Sequence, residues 1–230
     1  MRNAAFTALI ALVFGFAGAG LWSLSGAGEQ RTRAWLIANP EILPAMAEAL
    51  EKREARARLA GVGGAVTRPF PGAVLGNPKG TRTLVKFTDY GCSFCRSSVA
   101  DVAKLIAADP ALRVVIREWP IFDGSEDAAR MALAAARQGK YPAFYKAMFS
   151  GGQTSPAAVE RAARAAGLDM AKARTDAASD AVAAELAQNM QLARSLGFTG
   201  TPSWVAEGRI LEGAVGFDRL KEALEGKDAG

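Results

Sequence analysis

With 230 residues, the chain is long enough for one moderate domain with additions. The net charge is +5, but the basic residues are interspersed and no basic stripe with stacking aromatics occurs, so no nucleic acid is expected as a partner. Two cysteines and no histidine are too few for the four-ligand zinc sites that Cys and His dominate, and no metal or cofactor is expected.

In chain order, Arg2 precedes an unbroken apolar and small-residue run, Ala4 to Ala19. Ala17-Gly18-Ala19 and Ser25-Gly26-Ala27 each fit a small-x-small cleavage site, the pattern of a secretory signal peptide. Phe6 to Leu24 is also just long enough to span a bilayer. Residues 1–28 are therefore expected to be a signal peptide or membrane anchor, and the protein to be periplasmic or otherwise exported, where disulfides persist. Residues 29–60 read as a helical arm. A helix over Gln30 to Ala38 carries Trp35, Leu36 and Ile37 up to an Asn39-Pro40 break. Asn39 can cap the next helix, although Pro44 disrupts a turn already under way and favours a start near itself. Leu43, Leu50 and Ala57 recur at seven-residue spacing with Met46 between the first two, a seam shorter than a coiled coil requires. An arm lying on its own domain and an arm that joins copies of the chain both remain open. Gly61-Val62-Gly63-Gly64 reads as a flexible joint opening a linker over 61–72.

Residues 73–230 read as one α/β domain. Ala73-Val74-Leu75 fits a short edge strand, and Thr83 to Phe87 a strand rich in β-branched and aromatic side chains. Val99, Val102, Leu105 and Ile106 repeat at helical spacing in a helix from Phe94 to Ala108, ended by Asp109-Pro110. Arg113 to Trp119 is a second strand, which completes a βαβ unit. Residues 125–196 read as all helix, with Ser125, Ser155, Asp169 and Ser179 as start signals. In the last of these helices Val182, Leu186, Met190, Ala193 and Leu196 form one apolar stripe. Ser203-Trp204-Val205, a Glu207-Gly208 hairpin, Arg209-Ile210-Leu211 and a helix carrying Phe217, Leu220 and Leu224 close the domain.

The chemistry lies in Cys92-Ser93-Phe94-Cys95, at the first strand-to-helix turn of the βαβ unit. A c-type haem site needs His after the second cysteine, where this chain has Arg96. The pair is then a redox couple or a short structural disulfide, and a loop so small gains little from chain entropy. At a helix N-terminus, free N–H groups and the macrodipole favour a Cys92 thiolate, the attacking and attacked sulfur. Cys95, one turn deeper, is the resolving sulfur. Ser93 can donate to that thiolate and Phe94 offers an apolar contact, so both tune the couple. The competing reading is a chaperone or binding module with a structural disulfide, using Trp204, Phe94 and Trp119 exposed near the motif.

Leu75-Gly76-Asn77-Pro78, Phe87 through Cys95, Arg117-Glu118-Trp119-Pro120-Ile121 and Gly200 through Val205 together resemble the DsbA-like branch of exported thiol–disulfide oxidoreductases, from about Val74 to Leu224. The resemblance implies a thioredoxin-like fold with an inserted all-helical domain. It implies enzymatic formation or isomerisation of disulfides in cysteine-containing protein substrates, and a membrane redox partner. It also implies a cis Thr201-Pro202 loop that faces the cysteines and binds substrate. Many relatives carry an acidic proton shuttle six positions before the first cysteine, where this chain has Lys86. Asp89 or Glu118 would have to substitute if a relay is needed; Lys86 either takes part in the resolving-thiol chemistry or, as the bland alternative, points its ammonium to solvent at the strand edge. Trp35-Leu36-Ile37-Ala38-Asn39-Pro40-Glu41 resembles the leader of a sub-branch whose arms drive oligomerisation, which implies a homo-oligomer and an isomerase.

Overall fold

The computed structural model describes residues 2–24 and 27–226. The chain divides into two compact units, Met1–Glu51 and Lys52–Gly230. The first contains helix α1 (Arg2–Leu24), α2 (Ala27–Ala38), a 3-10 turn over Pro40–Ile42, and the beginning of α3 (Leu43–Val62). Asn39 does not cap: its side-chain amide turns back and donates to the Trp35 carbonyl at 2.7 Å, and the α-helix starts at Leu43, beside Pro44. Among the described residues no helix is long and apolar enough to cross a membrane. Of the Phe6 to Leu24 stretch, the side chains at 6–9 and 23–24 lie outside what is described, as does Ser25-Gly26 of the second cleavage candidate.

The second unit is built on a five-stranded sheet of order β1-β3-β2-β4-β5. Strands β2 (Arg82–Thr88) and β3 (Leu112–Glu118) run parallel, joined by α4 (Ser93–Ser97) and α5 (Val99–Ala108). The edge strand β1 (Val74–Gly76) lies antiparallel to β3, and β4 (Ser203–Ala206) and β5 (Arg209–Glu212) add two antiparallel strands beyond β2. Between β3 and β4 come the inserted helices α6 (Glu126–Arg137), α7 (Tyr141–Ser150), α8 (Pro156–Ala165), α9 (Met170–Ala177) and α10 (Asp180–Ser195). Helix α11 (Gly216–Leu224) closes the chain. Both central residues of the β4–β5 hairpin have positive φ, Glu207 at 43° and Gly208 at 77°, the turn whose twist matches paired strands.

Strand periodicity explains the layering. Leu84, Leu112, Val114, Ile116, Trp204 and Ala206 face one side, packed with α5, the inserted helices and α11. Val85, Phe87, Val115 and Val205 face the other, against Leu192, Ala193 and Leu196 of α10 and Leu59 and Val62 of α3. The α10 stripe is therefore core, except that Met190 stays exposed.

Two expectations change here. The motif helix is not continuous: Ser98 breaks it, its N–H returning to Phe94 and Arg96 and its hydroxyl donating to the Cys95 carbonyl at 2.8 Å. The glycine-rich segment is taken up in helical turns rather than left as open coil. Helix α3 runs to Val62, a 3-10 turn covers Gly63–Ala65, and Val66 is buried. The cause is Arg117 on β3, whose guanidinium donates to the carbonyls of Ala65, Val66 and Arg68. It also donates to Glu185 at 2.9 Å and Asn189 at 3.1 Å on α10, so one buried side chain pins two distant segments to the sheet.

Candidate functional site

Strand β2 delivers the chain to Asp89-Tyr90-Gly91, and this turn places Cys92 as the N-cap of α4. The Cys92 sulfur accepts from the Cys95 N–H at 3.4 Å and donates to the Thr201 carbonyl at 3.1 Å. A sulfur taking the N-cap role satisfies one of the free N–H groups of the helix and sits where negative charge is favoured. The Thr201-Pro202 peptide is cis and lies against the cysteine pair. Both thiols are free and buried, Cys92 with 3% of its surface exposed and Cys95 with none. Cys95 accepts from the Asp89 N–H at 3.5 Å. Burial pushes the Cys95 thiol up; the Lys86 ammonium pulls it back most, followed by the hydroxyls of Thr201 and Thr88 and the Asp89 N–H.

The two relay candidates are not poised alike. The Asp89 carboxylate accepts from the N–H groups of Gly91 (2.6 Å), Ile121 (2.6 Å) and Phe122 (2.9 Å) and from the Ser125 hydroxyl (2.8 Å). It organises the loop after β3, and Ser125 spends its hydroxyl there instead of capping α6. Only the Asp89 backbone reaches Cys95. Glu118 is fully buried, and one carboxyl oxygen accepts from Tyr90 at 2.9 Å and Tyr141 at 2.5 Å. Burial pushes its pKa up to about 8, against the pull of the two tyrosines.

Lys86 does not point to solvent. It lies in the middle of the sheet, wholly buried, donating to the Tyr145 hydroxyl at 2.8 Å and the Cys95 carbonyl at 3.3 Å. Its ammonium lies 5.2 Å from the Trp204 ring and 5.5 Å from each of the Tyr145 and Phe149 rings. Burial lowers its pKa to about 8, with Cys95 the largest opposing influence. A lone lysine in a strand carries no local sequence signal for this. The available signal was position: a parallel strand between two others is covered on both faces.

Around the cysteines the surface is mixed. Phe94 is 63% exposed, and Ile121 and Phe122 of the loop after β3 are exposed as well. A groove of about 670 Å³ runs past Gly91, Ser93, Arg96, Phe122, Gly152 and Gln153. Arg96 ties the motif helix to the carbonyls of Phe149 and Gly152 across that groove. Ser93 is exposed. Trp204 and Trp119, expected at the surface, are buried: Trp204 packs between sheet and insertion and donates to the Gly213 carbonyl at 2.9 Å. Trp119 meets Phe87 edge-on.

A family model of the DsbA-like thioredoxin domain matches residues 83–225. The chain belongs to this DsbA-like family. A thioredoxin-like oxidoreductase from Silicibacter pomeroyi is 46% identical, with a TM-score of 0.63 over 66% of this chain and 89% of that one. A linker-deletion mutant of Proteus mirabilis ScsC is 25% identical, with a TM-score of 0.70 over 86% of this chain and 93% of that one. A Na(+)/H(+) antiporter NhaA of Herminiimonas arsenicoxydans is 30% identical over 154 residues, 64% of this chain. The chain spans about a quarter of the curated relatives it matches, 22% and 24% of the first two. The DsbA-like fold, with its inserted helices between β3 and β4, accounts for the whole segment from β2 to α11.

Proposed function

We propose that the chain is an exported thiol–disulfide oxidoreductase that exchanges disulfides with cysteine-containing proteins through Cys92 and Cys95. The observation that carries this is the Cys92 sulfur at the N-cap of α4, with Cys95 one turn behind it and the Thr201 carbonyl alongside. A client sulfur bonds to Cys92; Cys95 then attacks Cys92, closing the Cys92–Cys95 disulfide and releasing the client sulfur as a thiolate. In the opposite direction a client thiolate opens the Cys92–Cys95 bond. Thr201 and Pro202 lie where an extended client backbone would run past the sulfur. Phe94, Ile121 and Phe122 give that client an apolar rim.

The leader run and the cysteine pair support export, and a membrane redox partner would keep the pair in its working state. Isomerisation is favoured by the arm, where Trp35, Ile37, Leu43, Met46 and Leu50 are exposed, a surface suited to a second copy of the chain. Of the three aromatics the non-catalytic reading drew on, Trp204 and Trp119 are buried and Phe94 is exposed, which weakens its support.

Cys95→Ser should accumulate a mixed disulfide between Cys92 and a disulfide-bonded client, visible on a non-reducing gel. Cys92→Ser should lose turnover by at least about a hundredfold. Full turnover by Cys92→Ser would remove the exchange reading.

A further inference from the structure

Lys86 is a buried cation held by two hydrogen bonds and three aromatic rings. Among the described residues no carboxylate lies within ion-pair distance of it, and its hydrogen bonds go to a tyrosine hydroxyl and one carbonyl. An ammonium so placed is costly unless it is paired, and an apolar side chain of similar volume would pack there more favourably. Two more polar groups nearby are unspent. The hydroxyl oxygens of Thr88, on β2, and Thr201, before β4, are buried without a hydrogen-bond partner. Both lie near enough to favour an ionised Cys95, whose sulfur already accepts the Asp89 N–H. Unused donors gathered around one sulfur suit a thiolate better than a thiol.

We propose that Lys86, Thr88, Thr201 and the Asp89 N–H form a thiolate site for Cys95, with Lys86 the buried counter-charge that sets when the second sulfur ionises. This rests on the reading of Cys92 and Cys95 as an exchange pair and assigns how the deeper sulfur works. In resolution Cys95 gives its proton to solvent, its thiolate attacks the Cys92 sulfur, the Cys92–Cys95 bond forms, and the bond from Cys92 to the client breaks. The client sulfur leaves with the electron pair and takes a proton from water. In the reverse step Cys95 is the leaving thiolate, and the same charge is met by the same ammonium. Lys86 stays protonated throughout and acts through Cys95, so it is a positioning residue. The charged and titratable groups that bear on it are Glu118 from β3, Cys92 and Cys95 from the motif, Tyr145 from α7 and Asp101 from α5. Glu118 bears on it from beyond ion-pair distance: one of its carboxyl oxygens accepts from Tyr90 and Tyr141, and the other is buried without a hydrogen-bond partner.

The test follows reduced full-length protein mixed with glutathione disulfide. Capture at Cys92 releases the first glutathione, and resolution by Cys95 releases the second. Lys86→Gln should slow resolution about ten- to a hundredfold at pH 7 and raise its pH midpoint by about one to two units, while capture changes far less. Lys86→Arg, which keeps the charge, should retain the wild-type midpoint. A Lys86→Gln profile that superimposes on wild type overturns the proposal. Should Lys86→Gln not fold, titration of the Lys86 ammonium by nitrogen-detected NMR in wild-type protein decides: its pKa should be higher in the reduced protein than in the disulfide form, and equal values overturn the proposal. If wild-type Cys92 captures no glutathione at all, the exchange reading falls first and takes this one with it; that failure is recognisable because it precedes resolution.

Discussion

Glu118 and Lys86 occupy neighbouring strands on the same face of the sheet, and their ionisation couples folding to pH. The Glu118 pKa is raised from its ordinary 4.5 to about 8, so the folded state holds a proton that the unfolded chain releases earlier. The stability it contributes is complete below about 4.5 and is lost as pH rises through about 8. Lys86 is lowered from 10.5 to about 8, so its contribution is complete above about 10.5 and is lost as pH falls through about 8. The two together put a trough near pH 8. The chain has no histidine, so little else titrates between pH 5 and 8. Urea unfolding should therefore show wild-type stability falling by a few kcal/mol over that window, since each unit of pKa difference is worth about 1.4 kcal/mol. Glu118→Gln should flatten the curve; an unchanged slope would mean that Glu118 is already ionised in the native state. The place of the motif was legible, because a strand signal ends just before the two cysteines and a helix signal begins at them, and the pair lies at the turn from β2 into α4. The burial of Lys86 and Glu118 was not, because charge type says nothing about depth until strand order is known.

At the level of elements, β2 and β3 were readable to within a residue because each holds a short cluster of β-branched, aromatic and aliphatic side chains bounded by turn signals. The insertion was readable from its caps: Ser155 and Asp169 accept from the N–H groups of Ala158 and Lys172. What failed were features decided by long-range bonds. Glycines at 61–64 signal freedom locally, yet the Arg117 guanidinium holds the segment that follows them, about fifty residues away in the chain. Arg117 also neutralises Glu185, only 9% exposed. Arg117→Met should therefore destabilise the domain by about 3 kcal/mol, most of it from leaving Glu185 buried and unpaired. Adding Glu185→Met should recover part of that loss in a double-mutant cycle. The segment 61–68 should also become the first site of limited proteolysis in Arg117→Met. If the two substitutions add without coupling, the guanidinium is not acting as the pin.

At the scale of the whole chain, the proposed exchange chemistry belongs to the domain, and the proposal that copies of the chain join rests on the arm. Leu43, Met46 and Leu50 lie on one side of α3 at three- and seven-residue offsets, and all are exposed. A stripe of that kind on a monomer would expose apolar surface to water with nothing gained, whereas facing a second copy it would be covered. The division of the chain at Glu51 and Lys52 separates this stripe from Ala55, Leu59 and Val62, which belong to the core of the domain. Deleting residues 29–60 would therefore strip part of that core along with the arm, so charged substitutions in the full chain make the cleaner experiment. Sedimentation of wild-type protein should give a multimer, and Leu43→Lys, Met46→Lys and Leu50→Lys together should give a monomer. Capture of glutathione by Cys92 should be the same in both, because none of the three residues belongs to the domain that holds the cysteines. Refolding of a client with scrambled disulfides should fall in the triple variant, since several cysteine pairs held in one particle can work on the same client at once. A wild-type protein that sediments as a monomer at every concentration would leave the stripe unexplained and would favour an oxidase that acts one copy at a time.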